Sequence, residues 1–327
     1  MYGAMRNCLA ALAVMAPFVV GVASASGTSG THVLTFADPA IVESSALVVE
    51  DGLFLTTNDS GDSGRVFAVD ASGDTVGVTH WSSHPIDCEA LAPAGRGAVW
   101  VGDIGDNLAT RTSIAITRVP VGRGDRDVQA TTYRLTYPDG AKDAETLVRN
   151  PVSGRLYVAT KGVFGGTLYA VPRHLSATRT NPMHAVGHVL SIATDGSFFP
   201  DGRHLVVRNY TSATVYDWPS LRETWSFALP AQRQGEGIAV ATDGSVYDSS
   251  EGPRSAVLQV HLPADVRRVV APASPSPDPS SSPSTPATPA DPAAATDDST
   301  RSVWPWAAGG LLAVVAVLVL LRALRPR

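Results

Sequence analysis

An acidic residue followed by a short apolar strand recurs five times in the middle of the chain, at intervals of roughly 40 to 55 residues. The five copies begin at Glu43, Asp87, Asp143, Ser191 and Gly235. Each copy continues with short runs of Val, Leu, Ile, Tyr and Thr that are separated by Gly, Asp, Asn and Pro, which indicates strands joined by turns. A repeat of this length that holds four strands is typical of a β-propeller blade.

The last copy predicts how a ring of blades would close. Four copies contain a recognisable fourth strand, at Thr75–Trp81, Thr131–Thr136, His184–Leu190 and Thr224–Leu229. The fifth copy lacks one, whereas His32–Phe36 precedes the first copy without a partner. Pairing His32–Phe36 into the last blade would remove an exposed sheet edge. The sequence therefore predicts an all-β, five-bladed β-propeller over residues 26–270; six blades or a β-sandwich are the alternatives.

Acidic residues occupy equivalent places at the predicted innermost strands, namely Glu43, Glu89, Glu145 and Glu236, with Asp195 near that place in the fourth copy. Innermost strands line the channel of a propeller, so these carboxylates would repel one another unless a cation or water offsets their charge. Ca²⁺ takes six to eight oxygen ligands, so the pattern predicts a Ca²⁺ or ligand site at one channel mouth. The alternative is that these acids cap turns and face solvent.

A second polar set falls where the second strand of each copy ends, at Asn58, Asp59, Asp103, Lys161, Asn209 and Glu251. The string from Val101 to Asn107, Val-Gly-Asp-Ile-Gly-Asp-Asn, is the most distinctive, and Arg111 follows it. It offers Asp103, Asp106 and Asn107 as oxygen ligands to the same site. The alternative is a hairpin closed by an Asx turn. Asp195-Gly196 and Asp243-Gly244 are predicted to be hairpin turns.

Composition and motifs exclude several other classes of protein. A net charge of −5, without a long run of Lys or Arg, excludes a strongly basic nucleic-acid binder. Two cysteines, Cys8 and Cys88, are too few for a disulfide-framed mini-protein, and Cys88 is predicted to be buried and inert. None of the common catalytic strings (G-x-S-x-G, H-E-x-x-H, a Walker loop, G-x-G-x-x-G) occurs in a suitable context, so the sequence assigns no catalytic residue.

Both ends of the chain predict export and anchoring. Arg6, an apolar run and Ala23-Ser-Ala25 predict a signal peptide over residues 1–25, with an uncleaved anchor as the alternative. Residues 271–302 are rich in Pro, Ser, Thr and Ala and predict a stiff, extended linker. An apolar stretch predicts a transmembrane helix over residues 303–321, and the arginines after it predict a cytoplasmic tail over residues 322–327. The expected location is the cell membrane, single-pass, with the propeller outside.

Several strings together resemble a family of exported actinobacterial propeller proteins described as WD40-like or esterase-like-phytase-like. They are Asp87-Cys-Glu89, Val101 to Asn107 with Arg111, Tyr137-Pro-Asp-Gly140 with Asp143-Ala-Glu145, Gly154-Arg-Leu-Tyr157 and Gly235-Glu-Gly237. The resemblance implies a β-propeller ectodomain. β-Propeller phytases use Ca²⁺ with Lys, Arg and carboxylates to hold phosphate. The chain is also similar to calcium-dependent lactonase propellers, which implies a site of Glu43 or Glu236 with Asn58, Asn107 and Asn209.

Two functions are consistent with these patterns. The first is a membrane-anchored extracellular module that binds a protein or a small ligand, with Ca²⁺ in the channel. The second is a metal-dependent hydrolase of phosphoesters or lactones at the channel mouth, with Glu89, Glu145 or Glu236 as the base. Convergence of the acids and the Asp103–Asn107 loop on one point favours the enzyme, whereas acids spread over separate blades favour the binding module.

Overall fold

The computed structural model describes residues 28–270, which form five β-sheets arranged as the blades of a propeller. From the axis outward, the first blade contains β2 (Val48–Glu50), β3 (Leu53–Thr56), β4 (Arg65–Val69), β5 (Thr75–Trp81) and β9 (Arg126–Val128). The second contains β6 (Cys88–Pro93), β7 (Ala98–Asp103), β8 (Ile114–Pro120), β10 (Thr132–Thr136) and β14 (Asn181–Pro182).

The other three blades have four strands each. The third contains β11 (Ala144–Arg149), β12 (Leu156–Thr160), β13 (Gly166–Ala170) and β15 (His184–Val189). The fourth contains β16 (Asp195–Phe198), β17 (His204–Arg208), β18 (Ser212–Asp217) and β19 (Arg222–Ala228). The fifth contains β20 (Gly235–Val240), β21 (Val246–Ser250), β22 (Ala256–Val260) and β1 (Gly30–Thr35).

The inner strands close into a ring. They contact one another in the cyclic order β2, β6, β11, β16 and β20, and β20 returns to β2. The predicted five-bladed propeller is therefore confirmed, and six blades or a β-sandwich are wrong for this chain.

The ring closes with the strand predicted for that role. β1 pairs antiparallel with β22, with His32 opposite Leu258 and Leu34 opposite Val257. Just after β1, the Phe36 N–H donates to the Ser255 carbonyl at 3.0 Å. The last blade is thus completed by the chain segment that precedes the first, so the outer edge of β22 is paired.

The apolar core is divided into five clusters, and each cluster lies between two neighbouring blades. Every residue of β12 and of β17 is buried, because a second strand is covered by a blade on each face. The outer strand β19 has no fully buried residue, since its edge faces solvent. This burial explains why the second strands are almost continuously apolar in sequence.

Two outer strands and one helix were not predicted. β9 and β14 add in parallel to β5 and β10 and cover the outer edges of the first two blades. The Asp125 carboxylate accepts the Val78 N–H at 2.9 Å and so ties the β9 loop to the first blade. Helix α1 (Ala264–Val270) packs its buried Val266 and Val270 into the cluster between the fourth and fifth blades.

One predicted turn is wrong. Asp195-Gly196 begins the inner strand β16 instead of closing a hairpin, and Asp195 is fully buried. Its carboxylate accepts the N–H groups of Gly196 and of Ile238 in the fifth blade, both at 2.8 Å. Asp243-Gly244 does form a turn, before β21.

The predicted burial of Cys88 is confirmed, since it is 3% exposed and burial raises the pKa of its thiol. The predicted signal peptide, linker, transmembrane helix and tail, at residues 1–25, 271–302, 303–321 and 322–327, lie outside the described residues. A search of residues 28–270 finds no helix that combines the length and apolar character needed to span a bilayer.

Candidate functional site

One backbone hydrogen bond recurs in four blades and brings the acidic residues to the same end of the channel. In each case a residue near the end of the second strand donates its N–H to a carbonyl near the start of the inner strand. The pairs are Asp59 with Glu43 (3.0 Å), Gly105 with Asp87 (3.2 Å), Lys161 with Asp143 (3.0 Å) and Glu251 with Gln234 (2.8 Å). Inner strands run in one direction around a propeller, so these residues lie at one mouth of the channel.

We call the carboxylates at this end the acidic mouth: Glu43, Asp59, Asp87, Glu89, Glu145, Glu236 and Glu251. Two triads within it have one oxygen per residue, all within 4.8 Å of one another. The outer triad is Glu43, Asp59 and Glu251, and the inner triad is Asp59, Asp87 and Glu89. Asp59 therefore belongs to both triads, and the inner triad draws on two different blades.

The carboxylates of the inner triad are partly or fully buried and close together, which disfavours their ionised forms. Glu89 is 5% exposed and accepts a hydrogen bond from the Ser45 hydroxyl at 2.8 Å. Burial, together with the charges of Glu145 and Asp59, raises the pKa of Glu89 far above its ordinary value. Burial and the adjacent Asp59 also raise the pKa of Asp87. Carboxyls in this situation bind either protons or a cation.

Glu145 extends the cluster towards the third blade. One carboxylate oxygen pairs with Lys161, whose ammonium lies 5.2 Å from the centre of the Tyr210 ring. The other oxygen, Oε2, is buried and has no hydrogen-bond partner among the described residues. Burial raises the pKa of Glu145 to about 7, although Lys161 opposes this shift. An unpaired, buried carboxylate oxygen beside other acids is a position that a ligand can satisfy.

Glu236 belongs to the fifth blade and lies on β20. The Gln234 amide donates to it at 3.1 Å and also contacts Glu251. Burial and the charge of Glu145 raise the pKa of Glu236 to about 8, while Lys161 opposes the rise. Glu145 is therefore close enough to both Glu89 and Glu236 to shift each of them.

The Val101–Asn107 string shapes this site through its backbone. Asp103 pairs with Arg111 at 2.9 Å and accepts the Asp87 N–H at 2.9 Å. Asp106 accepts the N–H groups of Thr110 and Arg111 at 2.9 and 2.8 Å. Asn107 is exposed in the turn that follows. Both carboxylates thus hold the loop in place through hydrogen bonds to its backbone and to Asp87, rather than through the Asx turn that was the predicted alternative.

Gly105 packs directly against the inner triad. A Cβ at this position would lie 2.3 Å from Asp87 Oδ2 and 2.9 Å from Glu89 Cγ. The absence of a side chain here is what lets the loop backbone pack against the two acids.

Asn58 and Asn209, suggested as ligands by the lactonase similarity, also serve local structure. Asn58 Oδ1 accepts the N–H groups of Val42 and Glu43, at 3.1 and 3.3 Å. Asn209 Oδ1 accepts from the backbone of Thr211 and from Ser212. Each amide oxygen is occupied in holding its loop.

The ligand set predicted from the sequence omitted Asp59, Asp87 and Glu251, which supply most of the two triads. Asp59 and Glu251 belong to the second polar set, so their position at the end of a second strand is the sequence signal that could have identified them. Asp87 was visible as the first residue of its repeat. Of the predicted residues, Glu43 and Glu89 belong to the triads. Glu145 and Glu236 lie outside them, but the charge of Glu145 raises the pKa values of both Glu89 and Glu236.

A second charged cluster lies behind Glu236, between the fourth and fifth blades. Arg208 is fully buried and donates to the carbonyls of Gly237 (3.0 Å) and Tyr210 (3.2 Å). A Cβ on Gly235 would lie 1.9 Å from its guanidinium, so this glycine makes room for the arginine. Both carboxylate oxygens of buried Asp248 have no hydrogen-bond partner within residues 28–270.

The opposite end of the channel is mainly apolar. A cavity of about 180 Å³ there is lined by inner-strand residues of all five blades: Val48, Leu91, Leu147, Phe198 and Ala239. Glu50 and Arg149 lie at its polar edge. The two ends of the channel therefore differ sharply in chemistry.

No family model and no curated protein matches this sequence. Solved structures that resemble it include a putative 6-phosphogluconolactonase from Bacteroides uniformis, at 13% identity and a TM-score of 0.39, covering 68% of each chain. Two glucose dehydrogenase structures are also similar, at 12% identity and TM-scores of 0.42 and 0.41, covering 72% of this chain and all of theirs.

Proposed function

We propose that this propeller is a cation-dependent binding module, in which Ca²⁺ at the acidic mouth completes the surface that receives a partner. The observation that carries the proposal is the inner triad of Asp59, Asp87 and Glu89 beside the unpaired Glu145 Oε2. The available donors are oxygens from carboxylates and the Ser45 hydroxyl, which suit a hard cation such as Ca²⁺. A bound cation would replace mutual repulsion of these buried groups with attraction.

The cellular setting of the module is proposed from the sequence alone. We propose that the module is exported, stands on the Pro-rich linker and is held in the cell membrane by the helix at residues 303–321. The relationship to the exported actinobacterial propellers is part of the same proposal, and the partner is an extracellular protein or small ligand.

Bound metal and thermal stability test the proposal together. Full-length protein is dialysed against Ca²⁺, and its bound Ca²⁺ and melting temperature are measured before and after EDTA. We expect stoichiometric Ca²⁺ and a melting temperature that EDTA lowers. Glu89→Gln should weaken both effects, because it replaces one triad carboxylate with a neutral amide of the same shape.

The matched control is Glu50→Gln at the opposite end of the channel, which should bind Ca²⁺ as the wild type does. Absence of bound Ca²⁺ and of any EDTA effect in the wild type would overturn the proposal. Equal losses in Glu50→Gln and Glu89→Gln would also overturn the location at the acidic mouth.

A hydrolase is the second candidate, because Glu145 and Glu236 have pKa values raised to about 7 and about 8. A general base works best when its pKa lies near the working pH. A cation at the mouth would polarise a substrate oxygen, Lys161 would hold an anionic group, and Glu145 or Glu236 would take a proton from water. Ca²⁺-dependent hydrolysis of p-nitrophenyl phosphate or γ-butyrolactone, lost in Glu236→Gln, would support this function over binding alone.

A further inference from the structure

Large apolar side chains are exposed on the same face as the acidic mouth. Five of them lie there: Val42 (43% exposed), Ile86 (65%), Leu108 (82%), Val163 (69%) and Phe164 (104%). We call these five residues the apolar rim. Elsewhere in the described chain the exposed large hydrophobics are Val152, Val186 and Val269.

The topology explains why the rim surrounds the acids. Val42 and Ile86 directly precede Glu43 and Asp87, in loops that enter the inner strands of the first two blades. Leu108 lies in the loop after β7, and Val163 and Phe164 lie in the loop after β12, next to Lys161. These loops all leave or enter strands at the mouth, whereas Val152 lies in the β11–β12 hairpin at the opposite end.

The rim loops are held in place by their own hydrogen bonds. Asp106 accepts the N–H groups of Thr110 and Arg111, and the Ala109 N–H donates to the Asp106 carbonyl at 2.7 Å. This turn leaves the Leu108 side chain exposed. The Val101–Asn107 string therefore has a further role, because its Asp106 holds the turn in place. Likewise the Gly165 N–H donates to the Gly162 carbonyl at 3.2 Å, which closes a tight turn with Val163 and Phe164 at its tip.

Ordered loops that display apolar side chains around a polar centre are typical of an interaction surface. The charge of that centre indicates what binds. Glu43 is exposed, Asp59 and Glu251 are partly exposed, and together they form the outer triad. Even with one divalent cation in the inner triad, carboxylates outnumber the cationic groups of the mouth. An anionic lipid surface would be repelled, whereas an ammonium or guanidinium group would be attracted.

We propose that this face docks a protein segment in which a Lys or Arg is flanked by apolar side chains. The basic side chain lies in the outer triad, and its apolar neighbours cover the apolar rim. The proposal deepens the proposed binding function and rests on it, because it names the class of partner that the mouth receives.

A random-peptide library displayed on phage tests this with immobilised full-length protein in Ca²⁺. We expect enrichment of peptides with Lys or Arg next to Leu, Ile, Phe or Trp. A synthetic peptide of the enriched sequence should bind the Leu108→Ser/Phe164→Ser double variant about tenfold more weakly than the wild type. It should also bind Glu251→Gln more weakly, and high salt should reduce its affinity.

The matched control is Val152→Ser, which removes an exposed apolar side chain from the opposite face and should bind the peptide normally. Enrichment of acidic peptides, no enrichment, or equal affinity for the wild type and the double variant would overturn the proposal. Co-sedimentation of the wild type, but not of the double variant, with phosphatidylglycerol vesicles would identify a membrane surface instead.

Bound Ca²⁺ in the double variant separates this inference from the proposed function. The rim substitutions leave every carboxylate in place, so the variant should retain Ca²⁺. If Ca²⁺ is retained but the wild type selects no peptides, only the proposed class of partner is rejected. Peptide selection without Ca²⁺ binding rejects the cation and leaves the docking surface.

Discussion

At the scale of single residues, the acidic mouth depends on glycines as well as on the acids, because a side chain at these glycines would collide with its neighbours. Gly105 allows the loop backbone to approach Asp87 and Glu89, and Gly235 makes room for the buried Arg208 guanidinium. The sequence does not show which neighbouring side chain either glycine accommodates. The close approaches become visible only when neighbouring blades are in place.

Gly105→Ala tests this directly. The added Cβ would collide with the Asp87 carboxylate, so we expect a loss of about 1–3 kcal/mol in the free energy of unfolding and weaker Ca²⁺ binding. Chemical denaturation and Ca²⁺ titration measure the two effects. Gly102→Ala in the same string is the control, because its Cβ would meet Ala90 and Ile104 at 3.3 Å and should cost less. Equal stability of the two variants would contradict the account.

Asp248 predicts a pH dependence of stability. Burial raises its pKa to about 7, while the charge of Arg208 opposes the shift. The Asp248 carboxyl therefore keeps its proton in the folded state up to about pH 7, whereas in the unfolded chain it loses the proton near pH 4. Between these pH values the unfolded state is favoured progressively, so the free energy of unfolding falls as pH rises. Asp248→Asn should match the wild type near pH 4 and exceed its free energy of unfolding by about 1–2 kcal/mol near pH 8.

Denaturant unfolding at both pH values measures this difference. Asp243→Asn, at an exposed turn of the same blade, is the matched control, and its two curves should run parallel to those of the wild type. An Asp248→Asn variant that loses stability at high pH would show that its negative charge supports the fold through Arg208.

At the scale of strands, the closing strand β1 is the element on which the ring depends. It is the outer strand of the fifth blade, and its ladder to β22 joins the two ends of the repeat. Phe36, just after β1, is fully buried between the fifth and first blades. The Ala37 N–H donates to the Gly73 carbonyl at 2.9 Å, so the segment is also tied to the first blade.

Phe36→Ala should therefore destabilise the whole propeller by about 3–5 kcal/mol, because it leaves a cavity at the closure. Thermal or chemical unfolding measures the change. His32→Ala, at an exposed position of the same strand, is the control and should stay close to the wild type. A small loss in Phe36→Ala, with a single unfolding transition, would show that the ring does not depend on this closure.

The sequence predicts the long strands well, since alternation and turn residues determine them locally; β5 has the predicted bounds Thr75–Trp81. It does not predict β9 or β14, which contain three and two residues and form only because an exposed edge is available. The turn predicted at Asp195 was wrong for a related reason. Asp-Gly is a common turn pair, but here its carboxylate holds the fifth blade, a contact that no local pattern encodes.

At the scale of the molecule, the propeller has two unlike channel ends, and the acids are concentrated at one of them. The repeat predicted that acids from several blades would share a mouth, because its period places them at one strand register. It did not predict which ones lie within reach of a single ion. That depends on loop geometry, which directs Asp103 and Asp106 into hydrogen bonds of the loop and leaves Asp59 between the two triads.

Cation binding should release protons. The pKa values of Glu145 and Glu236 are raised to about 7 and about 8, and that of Asp87 is raised as well, so near neutral pH these groups share protons that a cation displaces. The affinity for Ca²⁺ should rise about tenfold or more between about pH 6 and about pH 8. Calorimetry in two buffers of different ionisation enthalpy counts the released protons. Affinity that does not change with pH would contradict binding at these carboxyls.

The most direct test of the central claim is an anomalous difference map from crystals of the protein grown with Ca²⁺. The account predicts one strong peak within coordination distance of Asp59, Asp87 and Glu89, with Glu145 beside it. A map without a peak at the acidic mouth, or with its peaks elsewhere on the propeller, would contradict the account.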